Sequence, residues 1–355
     1  MIKFGDKSIG TGSPCFLTLE AGPTHDGLQS AKDLVSIAAK GGGDAVKFQI
    51  LDPDRLVADR KQLFTYEVLV DSATDKRETV SEPLYDILCR RALTPDEWIE
   101  VKAHADACKL AFFATIGFED EIDLLERLGC HSLKVASADV THFPLLRKAA
   151  KSGMSIQLDT GSSTIGEVEA AVDVILSEGN DQIIIHHCPS GYPAHLESIN
   201  LSLIPVLKQI FLECAIAYSD HSPGWEMDVA AIALGADLVE KTITHDRTTR
   251  SVEHIMSLER DDIDRFVRSV RDIETALGSP RRNMSVQERI ANVRRSVFLR
   301  RDVSEGERLG DADIEFRRPG RGLTPIRYEQ LLGLSSRTAM KAGSMVHESD
   351  LLQGE

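Results

Sequence analysis

No window of this 355-residue chain approaches the run of roughly 18 apolar residues that a membrane span requires. The opening residues, Met1-Ile2-Lys3-Phe4-Gly5-Asp6-Lys7, also lack the apolar core of a signal peptide, so a cytoplasmic location with no membrane partner is expected. Cysteine is sparse and unpatterned: Cys15, Cys89, Cys108, Cys130, Cys188 and Cys214 stand apart with no CxxC pair. They read as reduced thiols, and neither a disulfide nor a structural zinc is expected. Positive charge is short as well. Lysine and arginine total 41 against 56 aspartates and glutamates, a net charge of −15, which argues against a nucleic-acid partner because phosphate backbones are met by basic patches. An anionic small substrate stays compatible with that balance where basic residues gather locally. Low-complexity tracts are absent too, and 42% hydrophobic with 27% charged residues is a composition able to bury a core.

What the chain does have is a repeated device. Asp44-Ala45-Val46-Lys47-Phe48-Gln49 is a short apolar strand set between Gly41-Gly42-Gly43 and the loop Leu51-Asp52-Pro53-Asp54. Alternation puts Ala45, Lys47 and Gln49 on one face and Val46 and Phe48 on the other. A buried ammonium requires an anion, either a carboxylate of the protein or the phosphate or carboxylate of a ligand. Leu133-Lys134-Val135 and Leu238-Val239-Glu240-Lys241 repeat the pattern. Charges gathered at strand C-termini mark a parallel α/β active site. A strand lysine taken alone is more often ion-paired than ligand-bound, and Lys241 in particular reads as the partner of a barrel carboxylate.

Turn signals and periodicity predict strands at 16–21, 44–49, 110–115, 132–135, 155–158, 182–186, 215–218 and 237–241. Helices are expected at 28–39, 94–108, 119–128, 144–151, 165–176, 201–211, 226–234 and 261–277, the second opening on the strong start Thr94-Pro95-Asp96-Glu97. Eight strands alternating with helices is the (β/α)8 count. A small hairpin is expected within 2–10, and the polar, mixed segment 51–93 reads as an excursion over the barrel mouth. The domains predicted are 1–280, a basic linker 281–295, and a strand-and-glycine segment 296–355. The last is near the lower size limit for an independent core, so it is expected to pack against another surface.

Several local patterns coincide in order along nearly the whole chain. They are Glu20-Ala21-Gly22-Pro23-Thr24-His25-Asp26-Gly27, the 44–49 strand, Lys134-Val135-Ala136-Ser137, Thr160-Gly161, His187-Cys188, Tyr192-Pro193, Asn200-Leu201, Tyr218-Ser219-Asp220-His221, and Gly235-Ala236 with Glu240-Lys241. Together they resemble the sialic acid synthase family, which includes N-acetylneuraminate, legionaminate and pseudaminate synthases. Arg317-Arg318-Pro319-Gly320 with Leu331-Leu332-Gly333 is similar to that family's antifreeze-like SAF domain. The resemblance implies an α/β chain, a (β/α)8 TIM barrel followed by a small C-terminal SAF domain. It also implies condensation of phosphoenolpyruvate with an N-acylated amino sugar such as N-acetylmannosamine, giving a nine-carbon 2-keto acid and phosphate, in a domain-exchanged homodimer.

Residue roles follow from the same resemblance. Lys47 and Lys134 supply charge for phosphoenolpyruvate, Lys134 also counting as catalytic, and Thr115, Ser137 and Thr160 supply hydroxyl donors. Gln49, Ser190, Tyr192 and Glu253 line the substrate region. Glu20 and Glu240 are the acid/base or positioning carboxylates, and Arg318 reaches the partner's barrel to hold the sugar's acyl group. A divalent ion, Mn²⁺ or Mg²⁺, is implied, with His221 as one ligand. This chain departs from the family at Thr24-His25, Asp159-Thr160-Gly161, Ser190, Glu253-His254 and above all Thr242, which replaces the second histidine ligand. Either His245 or His254 completes the metal site, or the metal is held weakly or not at all. Two rival expectations remain: a Schiff-base aldolase with Lys134 as nucleophile, and a carbohydrate-binding protein without turnover.

Overall fold

Eight parallel strands close into a barrel in the computed structural model, which describes residues 1–279 and 293–352. An antiparallel hairpin, β1 (Ile2–Phe4) and β2 (Lys7–Ile9), precedes it. The barrel then begins with β3 (Phe16–Glu20), α1 (Leu28–Lys40) and β4 (Ala45–Gln49). The alternation along β4 sorts as expected. Val46 and Phe48 face the helices, where Phe48 packs with Trp98 and Phe112, while Ala45 turns inward. The hairpin's Ile2, Phe4 and Ile9 meet Phe16, Ala45, Phe113 and Leu238, inward residues from the early parts of the barrel strands. One end of the barrel is thus stoppered with apolar side chains, and polar inward residues are left to the other.

The 51–93 excursion has structure of its own: α2 (Pro53–Leu56), the hairpin β5 (Leu63–Asp71) with β6 (Lys76–Pro83), and α3 (Leu84–Cys89). Its charged composition concealed the hairpin, whose outward face is exposed while Tyr66, Val68 and Val80 pack with Ile87 and Val252. Next come α4 (Pro95–Ala107), β7 (Ala111–Ile116), α5 (Glu119–Arg127), β8 (Ser132–Val135), α6 (Phe143–Lys151), β9 (Ser155–Asp159) and α7 (Ile165–Ser177). The barrel is completed by β10 (Ile183–His187), α8 (Leu196–Ile199), α9 (Leu203–Ile210), β11 (Ala215–Asp220), α10 (Glu226–Ala233), β12 (Leu238–Thr242) and α11 (Arg260–Leu277). Going round the barrel the strand order is β3, β4, β7, β8, β9, β10, β11, β12 and back to β3.

Two local expectations shift. The helix expected at 201–211 starts at Leu203, because Asn200 adopts a left-handed conformation (φ 50°, ψ 50°) that ends the short α8 first. Strands β9, β11 and β12 run on to Asp159, Asp220 and Thr242, polar residues that look like loop but find partners at the barrel's end.

The chain divides into two compact units, Met1–Gly278 and Ser279–Glu355. In the second, β13 (Ser296–Leu299) pairs antiparallel with β14 (Ile314–Arg317) over a core of its own that includes Val297, Leu299, Leu309, Ile314, Leu331 and Val346. Most of the expected 281–295 linker lies outside the described residues.

Candidate active site

The C-terminal ends of five barrel strands bring three carboxylates and two ammonium groups together. Register places Glu20 on β3 beside Lys47 on β4, and their side chains form an ion pair. Lys47 Nζ also lies 3.1 Å from Glu240 Oε1 on β12. From β8, Lys134 Nζ reaches both Glu240 oxygens at 2.8 Å and Asp159 Oδ1, at the end of β9, at 3.0 Å. Ser219 Oγ donates to Glu240 Oε1 at 3.0 Å. All five charged residues are buried.

Such a cluster survives burial only because each charge meets an opposite one. Burial raises Glu240, but the two lysines overcome it and hold this carboxyl well below the usual range. Burial dominates at Glu20 and Asp159, which have one lysine each and Glu240 nearby, and both are pushed up. Lys47 and Lys134 are raised despite burial by the surrounding carboxylates. Behind them, Ser132 Oγ donates to the Ser155 carbonyl at 3.0 Å, Gln157 Nε2 donates to Ser132 Oγ at 3.0 Å, and Gln157 Oε1 stands 2.8 Å from His186 Nε2. That chain assigns the proton of His186 to Nε2 and turns its Nδ1 lone pair toward Asp159 Oδ1, 3.9 Å away. Burial keeps His186 neutral.

The cluster floors a cavity of about 270 Å³ at the barrel mouth. The cavity is walled by the excursion, through Leu56, Phe64, Leu84 and Ile87, and by Val252 and Glu253 of the loop after β12. Glu253 takes a left-handed backbone (φ 73°), and burial pushes its carboxyl up to about 7. Convergent cations and hydroxyls at the C-terminal face of a (β/α)8 barrel suit a small anion. The NeuB family model matches residues 34–282 and the SAF domain model matches 294–352.

The chain belongs to the NeuB family. Over 347 residues it is 33% identical to the N,N'-diacetyllegionaminic acid synthase of Legionella pneumophila, covering 96% of this chain and 95% of that one. The synthase of the same name from Campylobacter jejuni is 31% identical over 335 residues, 93% of this chain and 98% of its own. Among solved structures, the N-acetylneuraminic acid synthetase of Leptospira borgpetersenii, crystallised with citrate, superposes with a TM-score of 0.70 at 28% identity. The match covers 81% of this chain and 93% of that one.

Of the residues expected in a NeuB-family site, Glu20, Lys47, Gln49, Thr115, Lys134, Ser137, Tyr192, His221, Glu240 and Glu253 line this one cavity. Thr160 and Ser190 do not. They line a neighbouring cavity, where Thr160 Oγ1 donates to the His186 carbonyl at 2.9 Å and Ser190 Oγ to the Gly161 carbonyl at 3.1 Å. Arg318 is exposed in the second unit. Lys241 points away from the cavity to pair with Asp220 at 2.5 Å. Two charged lining residues escaped the sequence reading: Arg91 and Asp139. Asp139, two residues beyond Ser137 on a strand-end turn, carried a signal that could have found it. Arg91, some forty residues from β4, carried none.

The implied divalent ion can be tested against the donors present. His221 Nδ1 lies 3.0 Å from the Pro189 carbonyl, and burial lowers the ring's pKa to about 4, so Nε2 offers a lone pair. Cys188 Sγ, 3.9 Å from Nε2, is held as a thiol by burial, and the thiol is a poor ligand. No second imidazole joins them. His245 and His254 line a different cavity, and His254 Nδ1 is engaged by Thr244 Oγ1 at 2.7 Å. Among the described residues, no group of three or more histidine, cysteine, aspartate or glutamate side chains is arranged to hold a metal. The residues present do not fit a divalent ion held by this chain.

Proposed function

We propose that this protein condenses phosphoenolpyruvate with an N-acylated amino sugar, forming a nonulosonic acid and releasing phosphate. The observation that carries the reading is the pair Lys47 and Lys134 at one cavity floor in a NeuB-family chain. An incoming phosphate and carboxylate compete with Glu240, Glu20 and Asp159 for the two ammonium groups, while Thr115 and Ser137 offer hydroxyl donors. In the balanced reaction C3 of the enol bonds to the aldehyde carbon, the aldehyde oxygen takes a proton, water adds at C2, and phosphate leaves. Glu20 and Glu240 are the carboxyls placed to move those protons. Glu20, pushed up by burial, suits the proton donor, and Glu240, held ionised, suits the acceptor. An aldolase reading fits less well, since Lys134 is kept protonated between two carboxylates and a Schiff base requires the free amine.

Phosphate release from phosphoenolpyruvate with a panel of N-acyl hexosamines tests this function, and no release with any member would overturn it. The same reading makes the protein a cytoplasmic homodimer in which Arg318 serves the neighbouring barrel. Mixing Arg318→Ala with Glu240→Gln, each inactive alone, is then expected to restore part of the activity. A gel-filtration mass of a monomer would refute that arrangement. Thr242→His, which adds a second imidazole to the cavity that His221 lines, is expected to introduce Mn²⁺ retention measured by metal analysis after desalting.

A further inference from the structure

Three cations line the barrel cavity, and they are not equivalent. Lys47 and Lys134 are neutralised by carboxylates. Arg91 is not. It follows α3 and is only 5% exposed, yet among the described residues no carboxylate oxygen lies within 4 Å of its guanidinium. The guanidinium donates only to main-chain carbonyls, Nε to Ile87 at 3.4 Å and Nη1 to Pro23 at 3.3 Å. Five N–H donors on a planar cation are more than two long carbonyl contacts satisfy. A buried charge with no carboxylate in ion-pair contact is unfavourable, and Glu253, the carboxyl that acts on it most, is itself pushed by burial toward its neutral form, so a ligand anion is the better partner.

Location indicates which ligand. Arg91 also borders a second cavity shared with Arg90, His25 and His254, but the carboxylates that act on its charge, Glu253 and Glu20, line the barrel cavity. Its wall is formed by α3 and the Val252–Glu253 loop, whereas Lys47 and Lys134 are carried by barrel strands. Two lysines match the two anionic groups of phosphoenolpyruvate, which leaves the guanidinium for the other substrate. We propose that Arg91 is a specificity residue for the acceptor and that the acceptor carries an anionic group, a phosphate ester or a carboxylate, which the guanidinium receives. This rests on the synthase reading above and narrows its substrate class. A planar fork suits both groups, because either can accept two parallel N–H bonds.

The test compares N-acetylmannosamine, its 6-phosphate and the corresponding 6-uronate as acceptors for the wild type, Arg91→Met and Arg91→Lys. The wild type is expected to prefer one of the charged acceptors. Arg91→Met is expected to raise the KM for that acceptor by about 30-fold or more, with the KM for phosphoenolpyruvate unchanged and Arg91→Lys recovering part of the loss. Equal kcat/KM for neutral and charged acceptors in the wild type would overturn the proposal. So would an Arg91→Met defect that falls equally on phosphoenolpyruvate and on every sugar. Calorimetric titration of the two charged sugars into each variant, with circular dichroism as the fold control, separates this from failure of the synthase reading. Charged-sugar binding lost in Arg91→Met supports the role of Arg91 even where no acceptor turns over, and binding that is absent or indifferent to Arg91 refutes it.

Discussion

Lys134 holds two buried carboxylates at once, so its removal reaches beyond catalysis. Lys134→Met leaves Glu240 facing Lys47 alone and Asp159 facing no cation within ion-pair distance, apart from the neutral ring of His186. Turnover is expected to disappear, and stability to fall by about 3–5 kcal/mol in urea titration, the usual consequence of breaking a buried pair from one side. Glu253 makes a pH prediction whose sign can be worked out. Its folded-state pKa, about 7, lies above the ordinary carboxyl value of 4.5, so between those values the folded protein binds more protons than the unfolded chain. Stability from this group is therefore full below the unfolded pKa and is lost as pH rises toward 7. Glu253→Gln removes that loss, and its urea-derived stability relative to wild type is expected to improve by about 2–3 kcal/mol between pH 5 and pH 8. An identical offset at both pH values would show that Glu253 is ordinary.

Helix starts and tight turns set where those side chains stand. Thr94 and Thr164 each accept from the backbone N–H three residues on, at 3.3 Å, while Glu97 and Glu167 return the bond. Thr94→Ala and Thr164→Ala are each expected to cost about 1 kcal/mol in thermal unfolding and leave kcat/KM intact, since both caps are exposed and neither lines the cavity. Gly22 is the opposite case. Its N–H donates to Glu20 Oε1 at 2.6 Å, and an added Cβ would collide with that oxygen and lie 2.7 Å from the Gln49 nitrogen. Gly22→Ala is expected to displace Glu20 and lower kcat by about 100-fold. Its loss of stability should be modest by comparison. These elements were legible because their signals are local: a hydroxyl three residues before a glutamate, a Gly-Pro turn after an apolar run. The β5–β6 hairpin was not, because only one of its faces is apolar and that face is completed by Ile87 and Val252 from elsewhere.

Taken whole, the molecule has separate cores for its two units, one built on the barrel and one around Val297, Leu299 and Val346. Two calorimetric transitions are expected, and a single transition with equal calorimetric and van't Hoff enthalpies would show that the units unfold together. No helix among the described residues is long and apolar enough to cross a membrane. Strand alternation, helix periodicity and glycine turns are encoded within a few residues, so they sufficed by themselves to determine the eight-stranded barrel, the inward course of Lys47 and the gathering of charged residues at strand C-termini. Only the closed barrel decided that Lys134 is shared between Glu240 and Asp159, that Thr160 and Ser190 turn to another cavity, that His245 and His254 line a cavity other than that of His221, and that Arg91 is buried with no carboxylate in ion-pair contact. Those outcomes depend on which side chains from distant strands and loops come within a few ångströms of one another, and electrostatic partnership at that range is a property of three-dimensional placement that no local pattern carries.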